Sequence, residues 1–128
     1  MIRSEIIYYK PIENSFSEKL EGIIESAAEG ERVEVYKDIT SLLQRLRSPR
    51  ESIFLVVLLI PGKDELKDIL AFQELFIDKC LVLILPDRDE ETIHYGHQLR
   101  PRYLSFTDNS MEEIASVLEK LVWNLQKI

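Results

Sequence analysis

The chain has 128 residues, enough for one domain with a buried core, and its 45% hydrophobic and 30% charged residues are the balance of a globular protein. A formal net charge of −7 repels phosphate backbones and so disfavours nucleic acid as a partner. No apolar run approaches the ~20 residues of a membrane span, the N-terminus lacks a signal-peptide core, and a lone Cys80 closes no internal disulfide; the expectation is one domain over 1–128 in a reducing cytoplasm, away from membranes.

Strand and helix patterns then alternate five times along the chain. EIIYY over 5–9 reads as a strand, and a helix opens at Asn14-Ser15, where Ser15 and Glu18 have capping-box spacing. Phe16, Leu20, Ile23, Ile24, Ala27 and Ala28 recur at helical spacing until Gly30. RVEVY over 32–36 alternates as a half-buried strand does. Asp38 caps a second helix with Ile39, Leu42, Leu43 and Leu46 on one face, stopped at Ser48-Pro49. Arg45, Arg47 and Arg50 close to that end read as solvated cations that complement the helix dipole.

SIFLVVLLI, from Ser52, is the third strand, and its helix carries Leu66, Ile69 and Leu70 with a later cluster of Leu75, Phe76 and Ile77. CLVLIL is the fourth strand; Cys80 starts it, and a small buried hydrophobe is its expected role. A weaker helix over 89–99 contains Gly96, and RYLSF is the fifth strand. Ser110 and Glu113 have capping-box spacing again, ahead of a stripe formed by Ile114, Val117, Leu118, Leu121, Val122 and Leu125.

Polarity suggests the order of the strands. The third and fourth are apolar throughout, as parallel strands covered on both faces are. The second and fifth carry Glu34 and Ser105 and suit the edges. With right-handed crossovers this gives a three-layer α/β/α doubly wound parallel sheet of five strands in the order 2-1-3-4-5.

In such sheets ligands bind at the carboxyl ends of the strands. No loop there carries a dinucleotide or phosphate-cradling glycine motif, and there is no nucleophile-elbow serine, so no cofactor is expected. Asn14, Ser15 and Ser17 after the first strand are a thin basis for a flavin phosphate loop and suit a helix cap better. Asp87, Asp89, Glu90 and Glu91 follow the fourth strand. Asp87 is placed to cap the next helix, although Glu13, Asp87, Asp89, Glu91 and His94 are the residues from which a cation site could be assembled. His94 and His97, three apart without a clear third ligand, read as solvent-facing.

The stretches HYGHQLRPRYLSF, NSMEEIASVLEKLV and LVVLLIPGKDEL resemble the receiver domain of bacterial response regulators, and the alternation matches that domain over nearly the whole chain. The resemblance implies a flavodoxin-like fold and a place in two-component signal transduction. It also implies an acidic pair after strand one, a phospho-acceptor Asp ending strand three, a Ser or Thr ending strand four and a Lys ending strand five. This sequence has Tyr8-Tyr9-Lys10-Pro11 with Glu13 beyond, Val57 or Leu59-Ile60, Leu85-Pro86, and Phe106 in those places. Phosphoryl transfer needs the carboxylate, a cation and a positive group on the product oxygens. Leu and Ile supply none of these, so the expectation is a degenerate pseudo-receiver, non-enzymatic, with no catalytic residue and no aspartyl phosphorylation.

The resemblance further implies a protein partner of a signalling pathway, or a homodimer, through the face of helix four, strand five and helix five. Tyr95, Tyr103, Ser105, Met111 and Trp123 are the candidates on that face. Tyr103 matches the aromatic that switches between inward and outward positions in receivers. The competing reading is a small-ligand or divalent-cation binder, or an enzyme, that uses the acids after strand four.

Overall fold

A computed structural model describes residues 4–28, 30–48 and 52–126. The strands are β1 (Ser4–Tyr9), β2 (Arg32–Tyr36), β3 (Ser52–Leu59), β4 (Cys80–Leu85) and β5 (Tyr103–Phe106). The helices are α1 (Ser15–Ala28), α2 (Ile39–Arg47), α3 (Lys63–Leu70), α4 (Glu90–Gln98) and α5 (Met111–Gln126). All strand pairs are parallel, in the order β2-β1-β3-β4-β5. The layered α/β fold and strand order expected from polarity are those observed. Pro49 and Arg50 lie outside the described residues.

Successive side chains of a strand point to opposite faces, and this builds two cores. Ile6, Tyr8, Leu55, Val57, Val82 and Ile84 meet Leu20 and Ile24 of α1 and Ile114, Leu118 and Val122 of α5. Ile7, Tyr9, Val56, Leu58, Leu81, Leu83 and Leu85 face Leu42 and Leu46 of α2 and Leu66 and Ile69 of α3, with Leu99 at the end of α4. Gly96 brings α4 down on this second face. A Cβ there would lie 3.2 Å from methyl carbons of Leu83, Leu85 and Leu104.

Three helix boundaries differ from the sequence reading. At α1 the capping box is one residue earlier than Ser15/Glu18: the Ser17 N–H donates to Asn14 Oδ1 at 2.8 Å, and the Asn14 N–H donates to Ser17 Oγ at 2.8 Å. Glu18 turns instead toward Lys10. At α4 the capping position belongs to Asp89, not Asp87; Asp87 Oδ1 accepts the Asp89 N–H at 3.0 Å and shapes the loop. The third helix stops at Leu70 and a short 3-10 helix (Gln73–Phe76) follows, burying Phe76 and leaving Ile77 76% exposed. Asp38 caps α2 as expected, and Ser110 Oγ accepts the Glu113 N–H, although the Glu113 carboxylate accepts from Asn109 rather than closing a box.

Candidate functional site

The carboxyl ends of the strands form the edge where a doubly wound sheet places its chemistry. Parallel pairing sets Tyr9 beside Leu58 and Leu59 beside Ile84 there. Val57, Leu59 and Ile60 are all buried in the two cores, and the Ile60 N–H donates to the Ile84 carbonyl at 3.0 Å. No carboxylate stands at the end of β3. The end of β3 is packed with apolar side chains.

A cation stands just past β1. The Lys10 side chain is only 5% exposed, and its Nζ lies 2.5 Å from Glu21, 3.4 Å from Glu18 and 3.6 Å from Glu13. The hydrogen bond with Glu21 raises the Lys10 pKa above its ordinary value, so the ammonium is held charged. Glu13 also binds Lys37 at 2.7 Å, and that contact chiefly depresses its carboxyl pKa. On the other face, the Tyr9 hydroxyl donates to Glu65 Oε2 at 2.7 Å; burial and then this bond push the phenol pKa up.

The far side of the edge is latched. The Arg88 guanidinium lies 4.0 Å from the centre of the Phe106 ring, a cation–π contact. Its Nη2 donates to Asp108 Oδ1 at 2.9 Å and to Asn109 Oδ1 at 3.1 Å. That pairing holds the Asp108 carboxyl below the usual carboxylate range. Thr107 Oγ1 donates to the Pro86 carbonyl at 3.3 Å, so the loops after β4 and β5 are tied together. Lys63, the first residue of α3, meets Glu91 at 3.0 Å and Asp89 at 3.9 Å.

These pairings scatter the cation-site candidates. Glu13 faces lysines, Asp87 serves its own loop, Asp89 and Glu91 lie against Lys63, and the His94 ring Nε2 is 2.8 Å from Gln98 Nε2. Among the described residues no group of three His, Cys, Asp or Glu side chains could hold a metal ion. His94 and His97 are both exposed. Asn14 and Ser17, the thin basis for a flavin loop, are engaged with each other. Cys80 is half-buried, and burial raises its thiol pKa, which keeps it protonated.

The candidate interaction residues divide. Tyr95 is half-buried on α4 with Lys67 Nζ 5.3 Å from its ring centre. Tyr103 is half-buried against the core that holds α5, and its hydroxyl has no hydrogen-bond partner among the described residues. Ser105 is a correction: it is 1% exposed on the inner side of β5 and cannot touch a partner. Met111 is another, since it lines a groove between α5 and α1 rather than the face of α4 and β5. Trp123 is 57% exposed and sits on α5 one turn beyond Glu119.

One cluster escaped the sequence reading. Glu5, at the amino end of β1, is 0% exposed. Arg45 of α2 reaches it through Nη2, and Arg45 Nε binds Glu34 Oε1 at 2.7 Å. Arg32 lies 3.4 Å from Glu5 and 3.5 Å from Glu34, and the Tyr36 hydroxyl donates to Glu34 at 2.7 Å. Burial, then the Glu34 bond, pushes the Tyr36 phenol up to about 12. Arg45 is therefore no solvated helix-end cation; it anchors α2 to the sheet. Arg47 is exposed as expected and stacks 5.4 Å from the Phe72 ring centre. The one available signal was a Glu inside an otherwise apolar strand.

Solved structures share this architecture. A CheY-like response regulator receiver domain protein from Methanospirillum hungatei superposes with a TM-score of 0.70 at 12% identity, covering 99% of this chain and 98% of its own. The signal receiver domain of an HD domain-containing protein from Pseudomonas fluorescens gives 0.74 at 15% identity, covering 99% and 92%. This is the receiver fold. A structure described as adenylate cyclase from Rhodopirellula baltica also matches, at 0.67 and 8% identity over 98% of this chain and 91% of its own, so the receiver fold recurs under different descriptions. No protein-family model matches the sequence, and no curated protein matches it. No helix among the described residues is long and apolar enough to cross a membrane.

Proposed function

We propose that this chain is a pseudo-receiver: a single cytoplasmic, non-catalytic signalling module that works by binding a protein partner, without phosphorylation on aspartate. One observation carries the reading. The acceptor position is filled by buried Leu59 and Ile60, with no carboxylate at the end of β3 to receive a phosphoryl group. The surroundings agree. Lys10 stands where the receiver fold would hold acids for a cation, and Phe106 under Arg88 replaces the lysine that would neutralise the product oxygens.

Partner binding then falls to surfaces that remain accessible. On the α4 and β5 side these are Tyr95 and Tyr103. The orphaned Tyr103 hydroxyl costs roughly 1–3 kcal/mol of unmet desolvation while it is buried. An outward rotamer returns that group to water, so a partner that captures the outward ring has less to overcome.

Amide NMR of labelled protein, before and after magnesium and beryllofluoride, tests the reading. An unchanged spectrum is expected. Shifts confined to Glu13, 60–63 and 87–89 would reveal a working phosphoryl site and refute it.

A further inference from the structure

We propose that the groove between α1 and α5 is a two-fold interface at which two copies of this chain associate. Gly22 and Ile23 of α1 and Met111 and Ala115 of α5 form its floor. Nothing lies within 4 Å of the position a Gly22 Cβ would take, so a neighbouring backbone can approach closely there. Trp123 stands exposed on α5, one turn past the groove residue Glu119. Exposed aromatic surface at the rim of an apolar floor is the composition of an interface core.

Charge decides the occupant. Both helices follow parallel strands and lie on the same face of the sheet, so they run in the same direction. Lys19 lies in the second turn of α1 and Glu119 in the third of α5, both lining the groove. At 1.5 Å per residue, the span from Met111 to Glu119 is about 12 Å. The positive side chain therefore stands toward one end of the groove and the negative one toward the other. No ion pair among the described residues joins them. A two-fold axis through the middle of the groove, near Ile23 and Ala115, sets Lys19 against the partner's Glu119 and Glu119 against the partner's Lys19. The same rotation brings Trp123 over the stem of the partner's Lys19. A patch that is complementary to itself under a two-fold rotation is what an isologous dimer requires.

The interface is small. Two helices of 14 and 16 residues present a face roughly 20 by 24 Å, at the low end of specific interfaces, so a dissociation constant on the order of 10–100 µM is expected. The net charge of −7 on each copy opposes approach at long range, but salt at 0.15 M screens that beyond about 8 Å and leaves the contacting pairs. This inference does not depend on whether the chain is phosphorylated or which protein docks at Tyr95 and Tyr103.

Sedimentation equilibrium of the full chain over 20–500 µM tests it. The wild type is expected to show a monomer–dimer equilibrium. Lys19→Glu and Glu119→Lys should each weaken association at least tenfold, and the double exchange should return it to within about threefold. Circular dichroism melts of all three variants confirm folding, since both side chains are exposed. Three results would overturn the proposal: a monomer at every concentration, single variants that leave the dimer intact, or a double exchange no better than the singles. Loss of the dimer in Tyr95→Ala but not in Lys19→Glu would assign association to the opposite face and also refute it.

Discussion

Arg45→Met removes the closer of the two guanidiniums that contact both Glu5 and Glu34, and keeps most of the aliphatic stem. Glu5 is fully buried, and after the change Arg32, at 3.4 Å, is the remaining cation at its carboxylate among the described residues. Breaking a buried pair from one side costs about 3–5 kcal/mol, because it strands a charge away from water. The remaining Arg32 lowers that, and about 2–4 kcal/mol is the expected loss. For a domain of this size each kcal/mol moves the midpoint by roughly 3–5 °C, so a fall of about 6–20 °C is expected in a thermal melt. Urea titration at pH 7 gives the free energy directly. The sharper comparison is Glu5→Leu with Arg45→Met, which removes both charges. That double variant should recover at least half of the loss, since an apolar pair strands nothing. If Arg45→Met costs under about 1 kcal/mol, or the double variant is as unstable as the single, the buried pair is not what anchors α2.

Two further results follow from the packing and the titrating groups. Gly96→Ala gains up to about 1 kcal/mol of helix propensity, but the new Cβ meets three leucines at 3.2 Å; overpacking of this kind costs about 1–3 kcal/mol, so a net loss is expected in a urea melt and a more stable variant would contradict it. The phenols of Tyr8, Tyr9 and Tyr36 are all raised, first by burial, with Tyr36 at about 12. Their neutral forms favour the folded state, so this stability is complete below the ordinary tyrosine value near 10 and is lost as pH rises through the folded values. Absorbance at 295 nm should show at least three of the five tyrosines still protonated at pH 10.5 in the native protein; fewer than three there, without unfolding, would contradict this.

The sequence by itself determined the layered sheet. Apolar runs at 55–60 and 81–85 can only be central strands, and Glu34 and Ser105 mark edge strands, because these patterns depend on local periodicity and on which faces a strand must hide. It also showed that the third strand ends without an acid, in Leu59-Ile60, since identity at a strand end is legible in one dimension. Tertiary structure alone decided the charges. Glu5 is buried only because Arg45, forty residues later, reaches it from α2, and Lys10 is buried only because Glu18 and Glu21 of α1 and Glu13 of the preceding loop close over it. The same holds for Ser105, whose polarity marked an edge strand correctly while its side chain turned inward, and for Met111, whose side of α5 depends on where α1 packs. Ion pairs between distant segments carry no periodicity, and the sign that makes a residue look solvated also lets it be buried against its opposite.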